Sequence, residues 1–349
     1  METNELNYFE SYEDIEIHEL MLRDSPRNEA YRKAIVANKD YIQNKIVLDV
    51  GSGTGILSVL CAQAGASKVY AVEASNYAAV TKEVAAENKF EDIIEVINKR
   101  IEDTELPEKV DIIVSEWMGF YLLHEGMLDS VIYARDQFLK PDGCLFPQVA
   151  KIYAAPCSMP SMFEFWDNVH GISMQSVGKI SRLFKSLKPE ICVINSDDVL
   201  CDPKLVRSFD LKTIQIKDLN DIQLIDIAVA SKEGTYQGFC LWFDVEFPNF
   251  VNKTESPIIL STSPNDQPTH WKQSVVILPQ EIEVEEGTPI AFEVKLTRCE
   301  DNIRRYNIEF ALLDPNEIEH PMGCDCFMTK CIVAKVFVQN QSENTEIST

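Results

Sequence analysis

The loop from Ser115 to Met127 carries two carboxylates, Glu116 and Glu125, on either side of an apolar stretch of Trp117, Met118, Phe120, Tyr121, Leu122 and Leu123. Carboxylates set among aromatics must stay protonated or find partners, because an unpaired buried charge is costly. Two chemistries meet that condition. One carboxyl of raised pKa beside an ionised one can do acid–base work, as in glycoside hydrolysis. Alternatively, both stay ionised and hold a planar cation through parallel bidentate hydrogen bonds. The residue types alone leave both open.

A second loop bears on what else binds. Val47-Leu-Asp-Val50 has buried-strand character and runs into Gly51, Gly53 and Gly55, after which Ile56–Ala64 opens a helix. Alternate glycines let the backbone approach a ligand without a Cβ in the way, and the new helix terminus favours an anionic or polar group. The spacing is Gly-x-Gly-x-Gly, with Ile56 where a dinucleotide fingerprint places its third glycine. That argues against NAD. A nucleoside carrying an amine and a carboxylate, such as S-adenosylmethionine, suits the loop better, although by itself the loop fits other nucleotides equally. Glu73 ends the next strand-like run about twenty residues on, where an acid can accept from both ribose hydroxyls.

These residues need a sheet to hold them. Strand-like runs at Ile46–Val50, Lys68–Val72, Ile93–Ile97, Val110–Val114 and Cys144–Phe146 alternate with helix-like stretches at 56–64, 77–88 and 127–139. The alternation predicts an α/β unit of parallel strands, with ligands at their carboxyl ends. Ahead of it, Ser25-Pro26 reads as a helix start within a helical region 1–44. Beyond Pro147 two-residue alternation takes over, for example in 238–247, 290–296 and 305–313, predicting an antiparallel sandwich or barrel from 148 to 338. Asp301-Asn302 fits a hairpin turn. Met162–Lys188 breaks the pattern with a helix-like, apolar stretch, either a packed insertion or an arm. The polar segment 339–349 reads as a disordered tail.

At 349 residues the chain can bury roughly three quarters of its unfolded surface in two domains. Its 56 Asp and Glu against 32 Lys and Arg give a net charge of −24. That disfavours nucleic acid and anionic membrane and favours a basic partner, unless the acidity merely serves solubility. The N-terminus lacks a basic, then apolar, leader, and no apolar run reaches the length of a membrane span, so a soluble, unsecreted protein with free thiols is expected. Ten cysteines form no disulfide-like framework. Cys324-Asp-Cys326 with Cys331 invites a zinc reading, but no matching second ligand pair exists and no metal is expected.

The chain resembles the protein arginine methyltransferases over roughly 8–338. Tyr8-Phe-Glu-Ser-Tyr12, Val47-Leu-Asp-Val-Gly-Ser-Gly-Thr-Gly55, Ser115-Glu-Trp-Met-Gly119 running to Glu125, and Pro268-Thr-His-Trp-Lys-Gln273 carry the likeness. Val72-Glu-Ala-Ser75, Leu122-Leu-His-Glu125 and Leu260-Ser-Thr-Ser-Pro264 look most like its sixth mammalian branch, implying a nuclear or cytoplasmic location. The resemblance implies a Rossmann-like class I methyltransferase domain at 45–147, then an antiparallel β-barrel or sandwich at 148–338 with a dimerisation arm at 163–190. It implies S-adenosylmethionine as methyl donor without a metal, a homodimer, and Arg-rich protein substrates such as histone tails and RNA-binding proteins.

By position, Glu116 and Glu125 would clamp the substrate guanidinium. His18, Arg27, Asp49, Gly51, Gly53, Gly55, Glu73 and Glu102 would serve the cofactor, with Tyr8 and Tyr12 in a lid over it. His270 and Asp24 would either remove the guanidinium proton or tie the N-terminal helices to the β domain. Met21 and Met127, with Trp271, would shape the substrate end, the two methionines leaving room for asymmetric dimethylation. Gly126 departs from relatives that carry Ser there. Two rivals stand beside this reading. A small-molecule methyltransferase leaves the β domain and the double-Glu loop unexplained. An inactive scaffold paired with an active paralogue would usually lose a clamp or cofactor residue, and none of Arg27, Glu73, Glu116 or Glu125 is lost.

Overall fold

The computed structural model describes residues 14–250 and 256–346, with side chains as far as 338. Tyr8, Tyr12 and the N-terminal lid lie outside the described residues. Helices α1 (Ile15–Arg23), α2 (Ser25–Ala37) and α3 (Lys39–Ile42) precede the first strand. Asp24, not Ser25, is the N-cap of α2: its carboxylate accepts from the Arg27 N–H, with Pro26 in the first turn.

Strands β1 (Ile46–Val50), β2 (Lys68–Val72), β3 (Ile94–Ile97), β4 (Val110–Val114) and β5 (Leu139–Phe146) form one parallel sheet ordered β3-β2-β1-β4-β5. Helices α4 (Ile56–Gln63), α5 (Tyr77–Glu87) and α6 (Leu128–Phe138) accompany it. The strands were legible because sheets covered on both faces need near-continuous apolar runs, and Val47, Leu48, Val69, Ala71, Val110 and Val114 are all buried.

The second half is antiparallel. Strands β6 (Val149–Cys157), β7 (Glu190–Cys192), β8 (Lys204–Asp210), β9 (Asp221–Val229), β10 (Gly234–Phe247), β11 (Ile258–Ser261) and β12 (Gln273–Val284) are followed by β13 (Pro289–Arg298) and β14 (Tyr306–Leu313). One sheet runs β7-β12-β10-β6-β8 with β11 on β10, and the other β14-β13-β9. The β13–β14 hairpin turns at 299–305, as Asp301-Asn302 predicted.

The arm is two pieces rather than one helix. Helix α7 (Pro160–Phe163) and a 3₁₀ turn lead to a tight turn at His170-Gly171, both with positive φ, and then to α8 (Gln175–Lys185). Arg182 fastens α8 down, stacking over Phe163 at 3.7 Å and pairing with Glu281 at 2.6 Å. The opposite face leaves Val177, Ile180, Leu183, Phe184 and Leu187 exposed.

One expectation changes at the C-terminus. Helix α9 (Thr329–Glu346) carries regular backbone through most of the stretch expected to be unstructured. His320, four residues before Cys324, groups with Cys324, Cys326 and Cys331, a local gathering that a search for a second ligand pair passes over. Among the described residues, no helix is long and apolar enough to cross a membrane.

Candidate active site

A cavity of about 430 Å³ opens at the carboxyl ends of β1, β2 and β4. It is lined by the glycine loop, Glu73, Glu102, both loop glutamates and the methionines, and is closed on the β-domain side by His270 and Trp271. One cavity thus joins the two loops read separately in the sequence.

The glycine loop is built for close approach. Gly51, Gly53 and Gly55 all have positive φ, which L side chains rarely adopt. A Cβ on Gly51 would sit 2.4 Å from the Met127 methyl carbon, so the loop and Met127 are in contact across the cavity. Glu73 steadies the turn, one oxygen accepting from the Gly53 N–H and the other from the Ser75 N–H, each at 2.8 Å. Each oxygen keeps a lone pair for a ligand hydroxyl. His18, buried on α1, stacks on Tyr77 with ring centroids 3.6 Å apart and faces Gly53. Glu102 accepts from Ser130 Oγ at 2.6 Å and meets Arg100 at 3.4 Å.

Of the predicted cofactor residues that the structure describes, Gly55 and Asp49 do not line the cavity, and Asp49 lies furthest from that role. Side chains alternate across a strand, and this one points under α4, where Ser58 Oγ donates to it at 2.6 Å. It is fully buried and its other oxygen has no partner among the described residues. Burial pushes its carboxyl up to about 7 against the Ser58 hydrogen bond, and the charge of Glu73 adds to the rise. A carboxyl whose folded pKa is raised contributes stability that is complete below the unfolded value and is lost as pH rises toward the folded one. Asp49→Asn, which cannot ionise, is therefore expected to gain on the parent by on the order of a few kcal/mol between pH 4 and pH 8. Chemical denaturation of both proteins at the two pH values measures the gain. A difference that does not move with pH would mean that Asp49 keeps one protonation state throughout.

The double-glutamate loop is held in a strained shape. Gly119 and Leu122 exchange backbone hydrogen bonds, and Tyr121, Leu122 and Glu125 all carry positive φ. Such residues cost about 1–3 kcal/mol each and persist only where surroundings over-determine them. Here the surroundings are named: Trp271 Nε1 donates to the Met118 carbonyl at 2.8 Å, and Tyr31 Oη donates to that of Ser115 at 2.8 Å. Arg304 also exchanges bonds with Glu125, accepting from its N–H and donating through Nη1 to its carbonyl, both at 2.8 Å. Gly126 follows with φ +63° and backbone of Ile303 and Arg304 only 3.2 Å from where a Cβ would be, so glycine suits this loop. Arg304 is the site residue that sequence reasoning missed. Its signal was available as the Arg-Arg pair at a hairpin tip in an acidic chain. Ser130, which orients Glu102, had none.

Glu116 is already occupied. Arg27 reaches it through Nε at 2.9 Å and Nη2 at 2.8 Å, and both side chains are more than nine-tenths buried. The other Glu116 oxygen accepts from the Met118 N–H at 3.2 Å. Glu116 therefore holds a guanidinium here through a single oxygen, while Glu125 takes no part in that contact. Asp24 and His270 also meet as predicted. Asp24 Oδ2 accepts from both the His270 backbone and Nδ1, at 2.8 and 2.6 Å, while Oδ1 caps α2. Burial alone would raise the Asp24 carboxyl, but the His270 and Arg27 hydrogen bonds outweigh it and hold the pKa below its usual value. In this arrangement the pair is a joint between α2 and the β domain.

Comparison with known proteins fits this geometry. Residues 148–313 match the family described as "Arginine methyltransferase oligomerization subdomain", and 34–143 match "Ribosomal protein L11 methyltransferase (PrmA)". Among similar proteins, the probable protein arginine N-methyltransferase 6.1 of Oryza sativa subsp. indica is 40% identical over 86% of each chain. Protein arginine N-methyltransferase 6 of Danio rerio is 41% identical over 86% of this chain and 87% of its own. A solved structure, the Trypanosoma brucei PRMT1 enzyme–prozyme heterotetrameric complex with AdoHcy, superposes with a TM-score of 0.76 at 33% identity, covering 89% of this chain and 98% of that one.

Proposed function

The chain belongs to the protein arginine N-methyltransferases, and we propose that it transfers methyl groups from S-adenosylmethionine to arginine side chains of proteins within the cavity described above. One observation carries the reading. A single cavity joins a glycine loop and Glu73, suited to a nucleoside with a carboxylate and an amine, to two carboxylates suited to a guanidinium. Gly51, Gly53, Glu73, Glu102 and His18 would hold the donor, which supplies an electrophilic methyl group. Arg27 would meet its carboxylate.

Glu116 and Glu125 do the orienting. An arginine side chain is cationic at any physiological pH, and delocalisation makes its nitrogens poor nucleophiles. Two carboxylates draw positive charge toward the nitrogens they bind and leave the remaining terminal nitrogen aimed at the methyl group. Each charge-assisted hydrogen bond contributes about 1.5–3 kcal/mol, and fixed orientation adds several more. Met21 and Met127 both line the cavity, and slender, adaptable side chains leave space for a second methyl on the same nitrogen, so asymmetric dimethylarginine is the expected product. The charge of −24 would steer Arg-rich tails such as those of histones, an attraction that added salt weakens.

The test incubates the purified protein with labelled S-adenosylmethionine and a histone-tail or Gly-Arg-rich peptide, then resolves the methylarginines after hydrolysis. Asymmetric dimethylarginine is expected. Monomethylarginine alone would remove the product assignment, and donor binding without any product would favour a scaffold that works through a paralogue.

The subdomain match concerns oligomerization, and the finer proposal is a homodimer closed through the arm. The exposed face of α8 is apolar where a solvated helix would be polar, so it needs a partner surface. Ile180→Asp with Phe184→Asp is expected to shift the protein to monomers in analytical ultracentrifugation. A parent protein that is already monomeric at micromolar concentration would refute the arm's role.

A further inference from the structure

Residues 314–328 have neither helix nor strand, yet Cys324, Cys326 and the nearby Cys331 are 7%, 3% and 6% exposed. Apolar packing does not account for this. Among the described residues, the cluster they form has only Val229 and Met328 as partly buried apolar neighbours. What gathers them is His320. Its Nδ1 lies 3.4 Å from Cys324 Sγ, 3.4 Å from Cys326 Sγ and 3.0 Å from Cys331 Sγ, and all four donor atoms fall within 4.8 Å of one another. A tetrahedral zinc with Zn–S of about 2.3 Å and Zn–N of about 2.0–2.1 Å has ligand-to-ligand edges of roughly 3.5–3.8 Å. The three N–S distances fall just short of such an edge and no pair of the four atoms is more than 4.8 Å apart, so small side-chain shifts bring them to that spacing.

The histidine is also oriented for the task. Its Nε2 lies 2.8 Å from the Pro315 carbonyl, which can only accept, so the ring proton belongs on Nε2 and the Nδ1 lone pair faces the sulfurs. A backbone carbonyl fixing the far nitrogen is the usual outer support of a metal-bound imidazole. One lone pair cannot satisfy three thiols at once, whereas one cation among them satisfies all four groups. A disulfide would use two of the cysteines and leave the third beside the histidine.

We propose that His320, Cys324, Cys326 and Cys331 bind one zinc ion as a closed structural site that fastens the chain after β14 to the first turn of α9. Three sulfurs and one imidazole suit zinc, and four protein ligands leave no position for a catalytic water. Binding displaces the three thiol protons to solvent and leaves a complex of net charge −1. The site is remote from the chemistry. It lies by the end of the β9–β13–β14 sheet where Pro289 pairs with Val229 and Ala291 with Leu313, while Arg304 and the cavity adjoin the other end. It also falls beyond residues 148–313, so the matched oligomerization subdomain does not include it.

The experiment measures metal by plasma mass spectrometry on untagged full-length protein from zinc-supplemented cells, desalted without chelator. About one zinc per chain is expected, as for a four-ligand structural site, with near-complete loss in Cys326→Ser/Cys331→Ser. Should that variant not fold, the parent is stripped with a chelator and titrated with Co²⁺. Thiolate-to-cobalt charge-transfer absorption saturating at one equivalent, with recovery of the lost thermal stability, supports the site. Metal-free parent protein that also gives no such absorption would overturn it. Stoichiometric iron in place of zinc, or a native disulfide within the cluster by peptide mass spectrometry, would do so equally.

Discussion

Glu125→Gln is expected to lower turnover roughly 10²–10³-fold, the usual effect of removing one preorganised charge-stabilising group, while S-adenosylmethionine still binds with little change. The substitution keeps the size of the side chain and the positive φ of residue 125, so the loop strain and the backbone exchange with Arg304 are unaltered. What changes is the sign of one contact. A carboxylate offers only acceptors, whereas the amide turns an NH₂ donor toward a guanidinium that itself has only donors. The predicted donor contacts lie elsewhere, at Gly51, Gly53, Glu73 and Glu102. Methyl transfer to a peptide and calorimetric binding of the donor separate the two effects. A loss of donor affinity as large as the loss of turnover would move Glu125 out of the substrate end of the cavity.

The parts of this molecule that were legible in sequence are those set by local rules. Buried parallel strands need continuous apolar runs, so β1, β2 and β4 were bounded to the residue, and alternate glycines marked the turn after β1. Side-chain direction was harder. Asp49 belongs to the motif that carries the loop, but the pleat turns it away from the ligand and under α4, which requires knowing where Ser58 lies. Long-range meetings were harder still. Arg304 reaches Glu125 from 179 residues away. The arm's break at His170-Gly171 escaped notice because an apolar helical pattern continues on both sides of it. Sequence fixes elements through their neighbours along the chain, while the site is made of neighbours across it.

Arg27→Met is expected to be the most damaging single change at the site, through stability as well as affinity. In the structure Arg27 and Glu116 form a buried pair whose partners are 7% and 8% exposed. Removing one member of such a pair typically costs about 3–5 kcal/mol, because the other charge stays buried without compensation. Glu116 would keep the Met118 N–H, a single hydrogen bond to one of its oxygens. Arg27 Nη1 would also release Asn28 Oδ1, which it holds at 2.7 Å beside the turn between α1 and α2. The double variant Arg27→Met/Glu116→Gln removes the stranded charge and should recover much of the lost thermal stability, yet neither protein should bind the donor well, since its carboxylate has lost its proposed partner. Stability and donor binding therefore separate: the first follows the pair, the second follows Arg27 alone. Thermal unfolding and calorimetry on the two variants read each in turn. If Arg27→Met unfolded like the parent, the pair would carry little of the local structure. If it bound S-adenosylmethionine normally, Arg27 would serve Glu116 rather than the donor.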